Sequence, residues 1–288
     1  YMPELPEVEV VKKSLENKLI NLTLKRVNIT NNKLRYKIDS KQFNRIKNQK
    51  IISIDRRSKY LLINLNNDST ILIHFGMTGK FFIIDDNKKY KTSFYYSLKK
   101  NDTKHDHINF FFNKKIKLIY NDVRKFGFIK IFPSKYIHNC EHLVSLGPEP
   151  LSNDFNLSYF NNYILNKKTK IKNLLMDQKF VAGLGNIYCN EVLYLCKIRP
   201  NRSVKKINQI EIKEIIKFTK QILKQAIFLG GSSIKNFSST EGQGGNFQQK
   251  FNVYDKERSN CGRVKCLGTI KKVYHVNRSS FYCPKCQK

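Results

Sequence analysis

Between residues 23 and 132 the chain consists largely of short runs in which apolar and polar residues alternate, or in which β-branched residues cluster. Such runs are typical of strands with one or both faces buried. Turn-forming residues such as Asn66, Asn67 and Asp68 separate several of them. The strand candidates are TLKRVNIT, IISIDRR, YLLINLN, TILIHF, KFFIID, HINFFF, KIKLIY and FGFIKIF. So many consecutive strands predict a β-sandwich or a flattened barrel.

The segments on either side of these strands read as helices. Before them, Val8, Val11, Leu15 and Leu19 recur at helical spacing, which predicts one N-terminal helix. After a linker come further helical patterns, the clearest from Gln209 to Leu229, where apolar residues again recur at helical spacing. The glycine pair that follows predicts the end of this helix. Residues 232–250 are rich in Ser, Gly and Gln and are expected to form a loop. The fold class predicted is therefore α+β with more than one domain.

Four of the seven cysteines lie in the last 30 residues, in two close pairs. Cys261 and Cys266 are separated by four residues, and Cys283 and Cys286 by two. An odd total with one cluster does not resemble a disulfide framework, and two close pairs match the tetrahedral thiolate set that Zn²⁺ prefers in structural sites. The segment between the pairs reads as a β-hairpin. We therefore expect one structural Zn²⁺ that stabilises a small C-terminal unit, against the alternative of four unrelated cysteines.

The charge balance indicates the partner. Lys and Arg number 54 and Asp and Glu 22, a net charge of +32. Such a positive field favours a polyanion, and DNA or RNA is the expected partner. The alternative is codon bias, since an A/T-rich genome favours the abundant Lys and Asn. No apolar run approaches the length of a membrane span and no secretory signal is recognisable, so we expect a protein of the cytoplasm that does not associate with membranes.

Eight motifs occur in order along nearly the whole chain, and together they resemble the bacterial formamidopyrimidine-DNA glycosylase family, also called 8-oxoguanine DNA glycosylase/AP lyase. They are PELPEVE at 3–9, RRSKYLL at 56–62, HFGMTG at 74–79, KHDH at 104–107, NDVRKFG at 121–127, LGPEPL at 146–151, GLGNIY at 183–188 and the C-terminal cysteine unit. The resemblance implies a catalytic β-sandwich domain at 2–132, a linker at 133–152, a helix–two-turn–helix domain with a lesion-capping loop at 153–250, and a zinc-finger hairpin at 251–288. It also implies a monomer that works on the nucleoid and acts on double-stranded DNA with damaged bases.

By this resemblance the chain is a bifunctional enzyme of base excision repair that removes 8-oxoguanine and formamidopyrimidines and then cleaves the strand by β,δ-elimination. The nucleophile is the amine of Pro3, which forms a Schiff base with the deoxyribose. A chain-terminal amine has a reference pKa near ~8, so much of it is unprotonated at neutral pH. Glu4 acts as the general acid, Lys59 assists elimination at a phosphate, and Arg278 clamps a phosphate. Arg278 is expected to clamp a phosphate and not to donate a proton, because Arg is a poor proton donor.

The resemblance also implies a set of DNA contacts. Met77, Arg124 and Phe126 are the residues expected to enter the duplex when the damaged nucleotide is flipped out. The contacts expected with the DNA backbone are His74, His105, Lys168, Lys172 and Asn186. The chain departs from the family pattern at Val123, where a proline is usual, and in the four-residue spacing of its first cysteine pair.

Two questions stay open at this point. An amide nitrogen cannot attack C1′, so we expect Tyr1 and Met2 to be removed from the working enzyme, with Lys59 as the alternative nucleophile if they are not. The second question is the activity. One alternative is an endonuclease VIII-like enzyme for oxidised pyrimidines. The other is a catalytically dead zinc-containing DNA-binding protein, and the retention of Pro3, Glu4 and Lys59 together argues against it.

Overall fold

The computed structural model describes residues 2–93, 95–96, 103–235, 251–275 and 278–288. The chain forms two compact units. The first unit comprises Tyr1–Val144 with Ile227–Gly245, and the second comprises Ser145–Ala226 with Asn246–Lys288.

The first unit begins with a helix and continues as a β-sandwich. Helix α1 spans Leu5–Leu19 and a short helix, α2, spans Ser40–Arg45. The strands are β1 Leu24–Ile29, β2 Ile51–Arg57, β3 Tyr60–Leu65, β4 Ser69–His74, β5 Gly79–Asp85, β6 Lys88–Lys91, β7 Asp106–Phe112, β8 Lys117–Asp122 and β9 Phe128–Pro133. All eight strands and the N-terminal helix expected from the sequence are confirmed.

The strands form two antiparallel sheets. One has the order β1-β7-β8-β5-β6 and the other the order β2-β3-β4-β9. Apolar residues from both sheets and from α1 make one core, which contains Val8, Leu15, Ile63, Phe81 and Phe110 among others. Burial of this continuous apolar surface is the main stabilising contribution to the unit. The β-sandwich prediction is therefore confirmed.

The strand β6 was not predicted from the sequence. Its residues, KKYK, carry three lysines and no apolar alternation, and none of them is fully buried. Among the described residues it pairs only with β5, and it forms an edge of its sheet. Lysines on a short edge strand discourage pairing with other chains. Because the segment has no hydrophobic pattern, it is its pairing with β5 that makes it a strand.

The second unit is mainly helical. Its helices are α3 Leu157–Ile164, α4 Ile171–Met176, α5 Asn186–Leu195 and α6 Gln209–Lys235, the last of which continues into the residues assigned to the first unit. The expectation that Gly230 and Gly231 end α6 is wrong, because the helix continues to Lys235. A glycine inside a helix costs only about 1 kcal/mol, which a long helix tolerates. Most of the loop expected at 232–250, from residue 236 onward, lies outside the described residues.

The C-terminal residues form the hairpin expected from the sequence. Strand β10, Lys271–His275, pairs antiparallel with β11, Arg278–Tyr282. A small core of Tyr194, Val253, Ile270 and Phe281 joins the hairpin to α5. Within the described residues, none of the helices combines the length and apolar character needed to cross a bilayer.

Candidate functional site

The predicted nucleophile and general acid lie at the start of α1. Pro3 is buried, and Glu4 is 2% exposed at the N-cap position of the helix. The Glu7 carboxylate accepts a hydrogen bond of 2.8 Å from the backbone N–H of Glu4, as part of a capping box. This reciprocal arrangement satisfies a backbone donor at the helix start and fixes the direction in which the chain enters α1.

Lys59 lies in the two-residue turn between β2 and β3 and is 8% exposed. Its neighbour Ser58 has a φ of 56°, as tight turns often require. The turn is tied to α1 by Arg56, whose Nε donates to the Glu9 carboxylate over 2.6 Å and whose Nη1 donates to the carbonyl of Ser58 over 2.9 Å. The Arg56 guanidinium therefore holds the Lys59 turn against the helix that Pro3 and Glu4 directly precede.

His74 ends β4, opposite Tyr60 of β3, and is half-buried. Burial, followed by the nearby positive charges of Lys59 and Arg35, lowers the pKa of His74 to about 3. Its Nδ1 accepts a hydrogen bond of 3.2 Å from the backbone N–H of Gly76. The ring is thus neutral at physiological pH and carries its proton on Nε2, so it is a donor with a fixed tautomer.

The three residues expected to enter the duplex lie on two loops of the first unit. Met77 is half-buried in the β4–β5 loop, while Arg124 and Phe126 are exposed in the β8–β9 loop. The Arg124 guanidinium lies 4.5 Å from the centroid of the Phe126 ring. The loops touch, since a Cβ placed on Gly76 would lie 2.4 Å from the carbonyl carbon of Phe126. Gly76 also has a φ of +59°, so this close approach requires glycine.

His105 is half-buried just before β7, and its carbonyl accepts the backbone N–H of Asp122 over 3.1 Å. His107, two residues later, is buried with its Nε2 2.7 Å from the carbonyl oxygen of Asp122. The two histidines therefore differ in exposure, and the predicted DNA contact is the more accessible of them.

The second unit presents two of its predicted contacts near its surface. Lys168 is exposed before α4, and Asn186 is the first residue of α5. The loop before Asn186 is held by Gln178, which accepts the N–H of Gly183 over 2.8 Å and donates to the carbonyl of Leu184 over 2.7 Å. A helix N-terminus that follows a glycine-containing turn offers backbone N–H groups to a phosphate.

Lys172, the third contact expected in this unit, lies in its interior. This residue is 2% exposed, and its Nζ donates to the carbonyl of Ser279 over 2.7 Å and to the hydroxyl of Ser280 over 2.8 Å. A buried ammonium with these partners is not presented to a phosphate in solution. Arg278, by contrast, is exposed as the first residue of β11, directly before the two serines. Lys172 therefore supports the strand that carries Arg278.

The four C-terminal cysteines come together. Their Sγ atoms all lie within 4.8 Å of one another, with 3.8 Å between Cys261 and Cys286 and 3.7 Å between Cys266 and Cys283. Tetrahedral zinc with Zn–S bonds of 2.3 Å requires sulfur–sulfur separations of about 3.8 Å. All four cysteines are free of disulfides. The donor set and its spacing therefore fit a four-thiolate zinc site, and the described residues contain no other group with such a constellation of ligands.

Three polar residues at these sites were not predicted from the sequence. Thr78 and Asp122 lie beside the two loops with the insertion residues, and Asp122 is completely buried. Glu191, on α5, is also completely buried, and its carboxylate accepts the backbone N–H groups of residues 252–254 as well as the side-chain amide of Asn252. Glu191 is the one charged residue of α5 and is flanked by apolar residues on its C-terminal side, and this is the signal in the sequence that could have identified it as a buried anchor.

Comparison with known proteins gives one consistent family. A model of the formamidopyrimidine-DNA glycosylase N-terminal domain matches residues 2–129, and a model of the formamidopyrimidine-DNA glycosylase H2TH domain matches residues 146–238. The formamidopyrimidine-DNA glycosylase of Rickettsia bellii (strain OSU 85-389) is 41% identical over 287 residues, which is 100% of both chains.

Solved structures agree with the sequence matches. Lactococcus lactis Fpg in complex with DNA containing an abasic site has a TM-score of 0.84 and 31% identity, over 99% of each chain. Wild-type Lactococcus lactis Fpg in complex with DNA containing an oxidized pyrimidine has the same TM-score and identity, over 99% of this chain and 100% of the other. The likeness therefore extends over both units and includes the expected helix–two-turn–helix domain.

Proposed function

The chain belongs to the formamidopyrimidine-DNA glycosylase family, and from this premise we propose that it excises oxidised purines from double-stranded DNA and then cleaves the strand at the resulting abasic site. The family places the chain among the DNA glycosylases of base excision repair. The lesion class, 8-oxoguanine and formamidopyrimidines, is proposed from the family to which the chain belongs. The proposed chemistry, base excision with β,δ-elimination, rests chiefly on one observation. Pro3 and Glu4 lie together at the start of α1, which Arg56 ties to the turn that carries Lys59.

The proposed chemistry begins at the nitrogen of Pro3. Its lone pair forms a bond to C1′ of the damaged nucleotide, the glycosidic electron pair leaves with the base, and the proton lost from the Pro3 nitrogen passes to that base. Glu4 supplies a proton to O4′ as the sugar ring opens, which yields an iminium between Pro3 and C1′. The iminium acidifies the C2′ proton, and loss of that proton to water expels the 3′ phosphate. Loss of the C4′ proton to water then expels the 5′ phosphate, and hydrolysis of the iminium releases the sugar fragment and restores the amine of Pro3. Lys59 and Arg278 contact phosphates and stabilise the departing charge.

Flipping the damaged nucleotide leaves a gap in the base stack and an unpaired partner base. Phe126 fills the gap as a wedge, Arg124 hydrogen-bonds the unpaired base, and Met77 occupies the remaining space. The exposed positions of Arg124 and Phe126 on one loop support these assignments. His74, His105, Lys168 and Asn186 hold the DNA backbone. Lys172 is proposed to support Arg278 rather than to contact DNA.

We assign zinc to the cysteine quartet. The ligands are Cys261, Cys266, Cys283 and Cys286, and zinc bound there supplies folding free energy to the hairpin. A closed set of four thiolates leaves no open coordination position, so the role of the metal is structural. The hairpin in turn positions Arg278.

The decisive experiment measures excision and trapping together. Duplexes that carry 8-oxoguanine or an oxidised thymine, each opposite cytosine or adenine, are incubated with the enzyme in the presence of borohydride. We expect preferential excision of 8-oxoguanine and a covalent DNA adduct whose mass spectrum locates the link on Pro3. Preferential excision of oxidised thymine would instead indicate the endonuclease VIII-like activity, and DNA binding without excision or trapping would indicate a dead DNA-binding protein.

A matched control tests the nucleophile. Protein that starts at Pro3 is compared with the same chain carrying one additional glycine before Pro3. Only the first has a basic secondary amine, so the second is expected to bind DNA but to form no trapped adduct. An adduct of equal yield in the extended chain, located by mass spectrometry on Lys59 and not on the amine of the added glycine, would overturn the assignment to Pro3. Protein purified from its own cells is expected to begin at Pro3.

A further inference from the structure

The carboxylate of Asp122 connects the two loops that carry the proposed insertion residues. Asp122 is the last residue of β8, directly before the loop with Arg124 and Phe126, and it is completely buried. Met77 lies on the other loop, beside Thr78. A buried carboxylate is costly unless donors satisfy it, so its hydrogen-bond partners are expected to be specific.

Both carboxylate oxygens have partners on the loops. Oδ1 accepts the hydroxyl of Thr78 over 2.5 Å, and Oδ2 accepts the backbone N–H of Gly127 over 2.8 Å. The hydroxyl of Tyr120 lies 3.4 Å from Oδ2. All three partners act as donors, and a carboxylate accepts on both of its oxygens. An asparagine at this position would turn its N–H₂ group toward one of these donors.

The Thr78 hydroxyl extends the contact to Arg124. While it donates to Asp122, its oxygen accepts the backbone N–H of Arg124 over 2.9 Å. A hydroxyl can donate once and still accept, so one side chain joins the carboxylate to the backbone of the residue proposed to hold the unpaired base. The side chain of Thr78 thereby fixes the spacing between the Met77 loop and the Arg124 loop.

The main chain of Asp122 orients a third segment. Its N–H donates to the carbonyl of His105 over 3.1 Å, and its carbonyl lies 2.7 Å from Nε2 of His107. Four of the proposed DNA contacts of the first unit, His105, Met77, Arg124 and Phe126, thus lie on segments joined to Asp122 directly or through Thr78.

We propose that Asp122 and Thr78 are positioning residues that hold the insertion residues in their working arrangement before DNA binds. The proposal rests on the proposed function, because it concerns the step in which the damaged nucleotide leaves the duplex. Neither side chain needs to touch DNA. Their effect is to reduce the ordering that the two loops must undergo when Phe126, Arg124 and Met77 enter the stack.

The test substitutes Thr78 in two ways. Thr78→Val keeps the shape but removes the hydroxyl, so Asp122 loses a donor and the N–H of Arg124 loses its acceptor. Thr78→Ser keeps the hydroxyl. The control is Thr70→Val, which removes a buried hydroxyl whose partners, Asn64 and Ser134, lie away from both loops.

Three quantities are measured for each protein. They are single-turnover excision of 8-oxoguanine opposite cytosine, cleavage of a duplex with a pre-formed abasic site, and the fluorescence of a 2-aminopurine next to the lesion, which reports unstacking on binding. Thermal midpoints are recorded alongside. Thr78→Val removes two hydrogen bonds, and a single one contributes about a factor of ten. We therefore expect it to lower excision and the rate of unstacking by at least about tenfold, with cleavage of the abasic site reduced less than about threefold. Thr78→Ser should restore the wild-type ratio of the two activities.

Two results would overturn the proposal. One is a ratio of excision to abasic-site cleavage in Thr78→Val equal to that of the wild type. The other is an equal change of this ratio in Thr70→Val, which would mean that the change in Thr78→Val comes from a general loss of stability. If the wild-type chain excises and cleaves nothing, the proposed function fails. The 2-aminopurine fluorescence of the wild type, Thr78→Val and Thr78→Ser then still decides the role of Thr78, because unstacking of the base requires no bond to be broken.

Discussion

The buried ammonium group of Lys172 donates a hydrogen bond to the hydroxyl of Ser280 over 2.8 Å. This bond, with a second one to the carbonyl of Ser279, ties the start of α4 to the strand that begins with Arg278. Asn190 makes a similar link from α5, where its Oδ1 accepts the backbone N–H of Phe281 over 2.9 Å. The hairpin is thus held on the helices of its own unit by polar side chains, so the position of Arg278 depends on α4 and α5.

Lys168 and Lys172 are therefore expected to differ in the salt dependence of DNA binding. For the wild type we predict a slope of log K against log salt of about −5 or steeper, as six or more phosphate contacts would give. Lys168→Gln should make the slope shallower by about one, because an exposed phosphate contact is lost. Lys172→Gln should weaken DNA binding and lower the thermal midpoint, but it should leave the slope of log K against log salt unchanged. Equal changes of slope in the two variants would restore Lys172 as a direct contact.

Loss of the insertion residues is expected to separate the two activities. Phe126→Ala and Arg124→Ala should reduce excision of 8-oxoguanine much more than cleavage of a pre-formed abasic site, because the wedge assists flipping rather than the later chemistry. Tyr136→Ala is the control, since Tyr136 is also an exposed aromatic of the first unit. Rates are measured under single turnover on both substrates. Equal losses on the two substrates would mean that the residues act on folding or on binding in general.

Removal of zinc is expected to unfold the hairpin and abolish DNA binding. Elemental analysis should give one zinc per chain, and chelation should release it together with the ordered structure of β10 and β11. Cys266→Ser should lower the zinc content, whereas Cys140→Ser, a buried cysteine of the first unit, should leave it unchanged. A metal-free preparation with full activity would contradict the assignment.

The pKa of His74 predicts a dependence of stability on pH. Because burial lowers this pKa to about 3 in the folded chain, against the usual 6.5 of a histidine in water, the unfolded chain binds the proton more readily between these values. The contribution of neutral His74 is therefore complete above pH 6.5 and is lost as the pH falls toward 3, by up to about 1.4 kcal/mol per pH unit.

Urea unfolding of the wild type and of His74→Gln from pH 8 to pH 4 measures this effect. The variant is expected to lose less stability than the wild type as the pH falls. His138→Gln, which replaces an exposed histidine of the same unit, should follow the wild type. Parallel curves for all three proteins would show that the pKa of His74 is the same in the folded and the unfolded chain.

The position of β6 and the length of α6 show where patterns in the sequence stop being informative. The eight predicted strands bury apolar residues that repeat at short range, so their periodicity is visible in the sequence. The β6 strand is defined by its partner β5, and the glycine pair in α6 is tolerated because the helix around it supplies the missing stability. Neither effect has a local signature.

The chain sequence by itself determined the β-sandwich, the N-terminal helix and the four clustered cysteines, because periodicity and ligand spacing are properties of neighbouring residues. Tertiary structure alone decided which charged groups face solvent. Lys168 and Lys172 have the same chemistry and lie four residues apart, yet one is exposed and the other is buried beneath Ser280. Likewise Asp122 meets Thr78 from 44 residues away, and such a partner becomes visible only when β5, which Thr78 directly precedes, has paired with β8.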